Sequence, residues 1–146
     1  MASDLVGDDE IVFRRIPPGD SYLEPSDRLT SANFRLRKMS DGTIEAGLSV
    51  YRAKFITPEM LIQNPNAIRG SRVAWAKVAC IRSLQGGDGK LLFLDVVATP
   101  THDDPGHAEI RTIDGRPLSR SASVALSRVF KLIDIEPPPL CCHPGD

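Results

Sequence analysis

The sixteen residues LSRSASVALSRVFKLI, at positions 118–133, decide the fold class. Apolar residues recur here at intervals of three and four, a spacing typical of a helix that buries one side. They are Leu118, Ala122, Ala125, Leu126, Val129, Phe130 and Ile133. Because an apolar helix stripe must be covered by another element, the rest of the chain has to supply a sheet.

Upstream segments supply candidate strands at 11–16, 44–52, 73–78, 90–98 and 108–113, with a short extended piece at 30–34. They are apolar or β-branched, and glycine or proline punctuates most of the boundaries. Gly47 lies inside the second strand and indicates a bulge or a close backbone approach. The sequence therefore predicts an α+β fold, with a mixed or mostly antiparallel sheet of about five strands covered by the C-terminal helix.

A second, short helix is predicted at 58–63. Thr57 suits the N-cap and Pro58 the first helical position, whereas Asn64 precedes a proline and leaves the helical region. A further helical turn is expected after the strand at 73–78, reaching Leu84.

Length and composition indicate one globular domain. The chain has 146 residues, of which 41% are hydrophobic and 25% charged, and this is ordinary globular usage. We expect a flexible acidic leader at 1–9, a single α+β domain at 10–135 and an extended, proline-rich tail at 136–146.

The charge balance disfavours nucleic acid as a partner. Eighteen basic and nineteen acidic residues leave a net charge of −1, and the basic run at 35–38 is short. The sequence contains no pattern of a secretory signal or a membrane helix, and three cysteines do not form a disulfide framework. We therefore expect a cytoplasmic protein that does not bind membranes.

Arg14 and Arg15 are the first candidate site residues. Successive strand residues face opposite sides, so one of the two arginines points toward the core or a cleft and needs a partner. The partner is either a carboxylate of the chain, such as Glu109 or Asp95, or the phosphate or carboxylate of a ligand.

His107 and Glu109 are the candidate acid–base pair, because they share one side of a predicted strand. The alternative is that the acidic segment from His102 onward is a solvated loop. Its Pro-Gly pair rules out helical ligand spacing, so we predict neither a metal nor a cofactor. Ser49 has the first glycine of a G-x-S-x-G elbow but not the second, so the pattern does not indicate a nucleophile.

The chain contains four short motifs in a fixed order: Phe13-Arg14-Arg15-Ile16-Pro17, Thr30-Ser31-Ala32-Asn33-Phe34, Gly47-Leu48-Ser49-Val50 and Pro105-Gly106-His107-Ala108-Glu109-Ile110. Over residues 11–111 the chain resembles short, uncharacterised bacterial proteins with the same order of motifs. That resemblance carries no established activity.

The order of an early strand arginine, a middle serine and a late glutamate also resembles the ADP-ribosyltransferases. The resemblance implies that Arg14 or Arg15 holds the phosphates of NAD, Ser49 supports the nicotinamide side and Glu109 orients the ribose. The Ser-Thr-Ser context and a second acidic residue two positions before Glu109 are lacking.

Three functions follow as hypotheses. The leading one is a small intracellular binding or accessory module with a polar site, in which Arg14 or Arg15 pairs an anionic group and His107 with Glu109 fixes its orientation. The second is an enzyme acting on a nucleotide, with Glu109 or His107 as the acid–base group. The third is a module that binds a protein partner through its tail or a sheet edge.

Overall fold

A computed structural model of the chain describes residues 5–134. The strands are β1 (Ile11–Ile16), β2 (Leu48–Arg52), β3 (Arg72–Lys77), β4 (Leu94–Ala98), β5 (His107–Thr112) and β6 (Lys131–Leu132). The helices are α1 (Pro58–Gln63), α2 (Val78–Arg82) and α3 (Arg120–Val129), and Ser31–Phe34 forms a 3₁₀ helix. None of the helices in this part of the chain is long and apolar enough to cross a bilayer.

The strands form one sheet in the order β4-β5-β2-β1-β3-β6, and every neighbouring pair is antiparallel. This confirms the predicted α+β class and the covering C-terminal helix. The sheet has six strands where about five were predicted. Helix α3 ends at Val129 because Phe130 turns to extended backbone, and the two residues after it pair with β3.

Most local predictions are confirmed by the structure. β1 has the predicted bounds, and α1 begins at Pro58 with the hydroxyl of Thr57 accepting from the amide of Met60 at 3.2 Å. β3 passes directly into the short helix α2, as its mixed apolar pattern suggested. These features are determined by residues that lie close together in the chain, so the sequence alone can predict them.

Two predicted extended segments are wrong or too long. Residues 31–34 form the 3₁₀ helix instead of a strand. The strand predicted at 90–98 begins only at Leu94, because Phe93 has a positive φ of 54° that breaks the extended run. The preceding residues instead form a small turn, in which Gln85 pairs with Leu91.

Gly47 confirms the predicted close approach. A side chain at this position would lie 2.8 Å from the carbonyl oxygen of Ile110 and 2.7 Å from Cγ of Arg111. β2 therefore begins only after this glycine, at Leu48, and not at Ile44. The glycine brings the chain against β5 and aligns Ser49 opposite Glu109.

The two faces of the sheet are covered unequally. The core face, which includes Val12, Val50 and Ile110, shares one buried cluster with α2 and α3. The outer face, which includes Phe13, Tyr51 and Val73, packs against α1 in a smaller cluster. Side chains alternate between faces, so Ser49 and Tyr51 of β2 and His107 and Glu109 of β5 lie on the outer face, whereas Arg52 of β2 lies on the core face.

Residues 5–9, which the sequence assigned to a flexible leader, pack against α2 and β4. Val6 is buried, and its carbonyl accepts a 2.7 Å hydrogen bond from Nη2 of Arg82. The same guanidinium bonds to Asp8 at 2.7 Å and Asp95 at 2.8 Å, and these bonds raise its pKa against the cost of burial. The predicted tail at 136–146 lies outside the described residues.

Arg52 is the largest buried polar side chain, with 1% of its surface exposed. Its Nε and Nη2 donate to the two carboxylate oxygens of Glu10 at 2.8 and 2.7 Å. Such a two-bond pair compensates the cost of removing the guanidinium charge from water. The hydrogen bonds from Arg52 hold the pKa of Glu10 below its ordinary value, although partial burial opposes the shift.

The lowered pKa of Glu10 predicts a loss of stability in acid. A carboxyl group whose pKa is lower in the folded state stabilises the fold above its unfolded value, which is 4.5, and loses this effect as pH falls through the folded value. Glu10→Gln cannot titrate. In thermal melts from pH 7 down to acid, the gap in melting temperature between wild type and Glu10→Gln should narrow below about pH 4.5. A gap that stays constant to the lowest pH would contradict the assignment.

Candidate functional site

The site lies where β1 and β2 stop pairing in the middle of the sheet. Their registered pairs are Val12 with Arg52 and Phe13 with Tyr51. At the next position of β1, the side chain of Arg14 replaces backbone pairing as the link between the two strands. Its Nε donates to the carbonyl of Asn33 and its Nη1 to the carbonyl of Ser49, both at 2.6 Å.

Contacts within the protein therefore explain why a charged side chain is tolerated at Arg14. Its side chain lies on the core face and its guanidinium is 5.8 Å from the ring centre of Phe34. Burial lowers the pKa of Arg14 to about 10, so the group stays charged at neutral pH. Two carbonyl oxygens satisfy it without a carboxylate.

Arg15 faces the other way, onto the outer face. Its Nη2 donates to the hydroxyl of Tyr51 at 3.0 Å, and its guanidinium lies 5.4 Å from the centre of that ring. Its Nη1 is buried and has no hydrogen-bond partner in the structure. An unused buried donor costs about 1–3 kcal/mol, and an ion or water that occupies it is a common reason for its presence.

A cavity of about 340 Å³ opens at this gap, and we call it the arginine cavity. Its lining includes Arg14, Arg15, Arg35, Arg37, Tyr22, Asn33, Ser49, Tyr51 and the loop residues 66–68. No aspartate or glutamate is among the described residues that line it. Glu45 is close, 3.7 Å from Nε of Arg37, and offsets part of that charge.

His107 joins Ser49 to β4 across the outer face. Its Nε2 lies 3.0 Å from Oγ of Ser49. Its Nδ1 lies 2.8 Å from Oγ1 and 3.2 Å from the carbonyl oxygen of Thr99. The imidazole also meets the ring of Tyr51 edge-on, with the centres 5.6 Å apart. Both ring nitrogens are therefore held in place.

Glu109 has a different partner from the one proposed from the sequence. Its carboxylate pairs with Arg111 on the same strand, with Oε1 2.7 Å from Nη2. Asp95 pairs with Arg82. The expected ion pair between an arginine of β1 and one of these carboxylates is therefore wrong.

The structure brings together part of the proposed constellation. Arg15, Ser49, His107 and Glu109 all lie on the outer face, whereas Arg14 lies on the core face. Arg14, Arg15 and Ser49 line the arginine cavity. His107 and Glu109 are not among the described residues of that lining, but His107 contacts two residues that are, Ser49 and Tyr51.

The acidic segment between β4 and β5 is a solvated loop at its start. His102 and Asp103 are fully exposed and lie 3.2 Å apart. Within residues 5–134, no group of three or more histidine, cysteine, aspartate or glutamate side chains is placed to hold a metal ion.

Several contributors to the site were missed from the sequence: Tyr22, Asn33, Arg35, Arg37, Tyr51 and Thr99. Tyr51 could have been found, because it follows Ser49 by two residues and so shares its face. Asn33 contacts Tyr22 and Arg14 through the 3₁₀ helix, and Thr99 contacts His107 across a loop. These contacts arise from tertiary structure and leave no local pattern.

Comparison of the chain with protein-family models, with curated proteins and with solved structures finds no match. The resemblances drawn from short motifs therefore stay predictions, and the function is argued from the site alone.

Proposed function

We propose that this protein is an intracellular binding module whose arginine cavity takes the carboxylate or phosphate of a small ligand. The observation that supports this most directly is a cavity lined by four arginines, one of which, Arg15, has a buried Nη1 donor without a partner among the described residues. A planar guanidinium with free N–H groups suits the oxygen pairs of carboxylates and phosphates. The exposed free thiol of Cys80 suits a reducing compartment.

The charges around the cavity favour an anion over a neutral ligand. Arg14 is satisfied by backbone carbonyls, which keep their dipoles but add no negative charge. Arg15 bonds to a neutral phenol. Glu45 lies near Arg37 and also acts on the charge of Arg14, but one carboxylate does not balance four arginines, so the lining keeps an excess of positive charge.

The cavity also offers one unused acceptor. The amide nitrogen of Asn33 donates to the carbonyls of Tyr22 and Thr30 at 2.7 and 3.1 Å, and this fixes the orientation of the amide. Its Oδ1 is buried and without a partner. An acceptor at the cavity suits a ligand that carries a hydroxyl or amine donor besides its anionic group.

Anion binding should be visible as thermal stabilisation. Inorganic phosphate, citrate and ribose 5-phosphate, added at millimolar concentration and constant ionic strength, serve as probes. A ligand at a hundredfold excess over its Kd stabilises by about 2.7 kcal/mol, which corresponds to a rise in melting temperature of roughly 5–10 °C. We expect Arg15→Met to remove this rise, because it deletes the free donor and its charge.

Arg128→Met is the matched control, since Arg128 is an exposed arginine on α3, outside the arginine cavity. It should keep the full stabilisation. The proposal would be overturned if none of the three probes raised the melting temperature of wild type. It would also be overturned if a probe raised the melting temperatures of wild type and Arg15→Met equally.

A further inference from the structure

Ser49 and His107 have the mutual geometry of a nucleophile and its general base. The oxygen and the ring nitrogen lie 3.0 Å apart, within the range for a proton transfer. The sequence did not indicate this, because it lacks the second glycine of the elbow motif. The pairing arises instead from two neighbouring antiparallel strands, β2 and β5.

Nδ1 of His107 contacts two oxygens of Thr99: the hydroxyl at 2.8 Å, which can donate or accept, and the carbonyl at 3.2 Å, which can only accept. With its proton on Nδ1, the imidazole donates to Thr99, and Nε2 is the bare nitrogen that accepts the hydroxyl proton of Ser49. We assign this tautomer to the reactive form. The carbonyl of Thr99, the imidazole of His107 and the hydroxyl of Ser49 thus form a continuous chain of hydrogen bonds, as activation of a serine requires.

Ser49 is also within reach of a ligand. It is only partly buried, and it lines the arginine cavity together with Arg15. A hydroxyl held in a sheet only to satisfy its hydrogen bonds would not need to border a cavity. Here the group that His107 would activate stands beside the positive charges that would hold a substrate.

We propose that Ser49 is a catalytic nucleophile and that His107 is its general base, acting on a carboxylic ester that carries an anionic group. Arg15 holds that anionic group, so the choice of substrate depends on the proposed function, whereas the reactivity of Ser49 does not. The activity goes beyond binding and makes the protein a hydrolase.

The reaction balances with water as the only other reactant. Oγ of Ser49 forms a bond to the acyl carbon as its proton passes to Nε2 of His107. The bond to the leaving alcohol breaks, and the alcohol takes that proton. Water then attacks the acyl group as one of its protons passes to His107, which returns it to Oγ as the bond to Oγ breaks; the product leaves as the carboxylic acid and loses its remaining proton to solvent.

An uncharged fluorophosphonate tests the nucleophile directly. Oγ would displace fluoride from phosphorus with transfer of its proton to His107, and mass spectrometry of the intact chain and its peptides would locate one adduct on Ser49. We expect Ser49→Ala to abolish this adduct. His107→Gln should slow its formation by about 100-fold or more, because the base is lost.

His102→Gln, at a fully exposed histidine, is the matched control and should label at the wild-type rate. The probe carries no anionic group, so labelling of Ser49 in wild type tests the nucleophile separately from anion binding. If His107→Gln does not fold, the comparison of wild type with Ser49→Ala decides alone. An unlabelled wild type, or an adduct that persists in Ser49→Ala, would overturn the proposal.

Discussion

Glu10→Ala should lower the free energy of unfolding by about 3–5 kcal/mol. The change removes the carboxylate that accepts two hydrogen bonds from Arg52, whose side chain is 99% buried. The guanidinium would keep its charge but lose two hydrogen bonds to a carboxylate, and removing one partner of a buried ion pair is strongly destabilising. Urea denaturation followed by circular dichroism would measure the loss.

Glu24→Ala is the control for this prediction, because Glu24 is exposed on the surface. It should change the unfolding free energy by no more than about 0.5 kcal/mol. Equal effects of the two substitutions would show that the Glu10–Arg52 pair contributes no more than a surface charge.

Phe34→Ala should destabilise the protein by a similar amount, about 3–5 kcal/mol. Phe34 is fully buried and its ring lies 5.0 Å from that of Phe130, so the smaller side chain leaves a cavity between the 3₁₀ helix and the end of α3. The backbone carbonyl of Phe34 also accepts a 2.7 Å bond from the buried hydroxyl of Ser123. The same urea experiment measures the effect.

The chain offers a matched phenylalanine at position 93, which is 60% exposed. Phe93→Ala should change the unfolding free energy by roughly 0.5 kcal/mol or less, since little apolar area is lost from a packed contact. If Phe34→Ala were equally mild, the 3₁₀ helix would not be packed as the structure has it.

The sequence predicted those parts of the fold that short patterns determine. β1 needs only its apolar run and the prolines after it, and α1 needs only Thr57 and Pro58. β6 could not be predicted, because its two residues continue an apolar helical pattern and become a strand only through pairing with β3. β4 begins later than predicted for a similar reason, since nothing in the neighbours of Phe93 indicates a positive φ.

The candidate site was predictable only in its residue types. Arg15 and Ser49 were selected singly and His107 and Glu109 as a pair, and the structure places all four on one face. Their partners lie far away in the chain: Ser49 and His107 are 58 positions apart, and Arg14 reaches Asn33 across 19. Residue patterns identify polar groups in strands, but pairing register determines which of them meet.

Because β1 and β2 pair over only two positions, the sheet is divided into two three-stranded halves, with β4, β5 and β2 in one half and β1, β3 and β6 in the other. Guanidinium groups of Arg14 and Arg15 cross this seam, to Ser49 and Tyr51 respectively. A ligand bound in the gap would contact both halves of the sheet at once. Its binding would therefore stabilise the association of the two halves, and a substitution that weakens this association would weaken ligand binding.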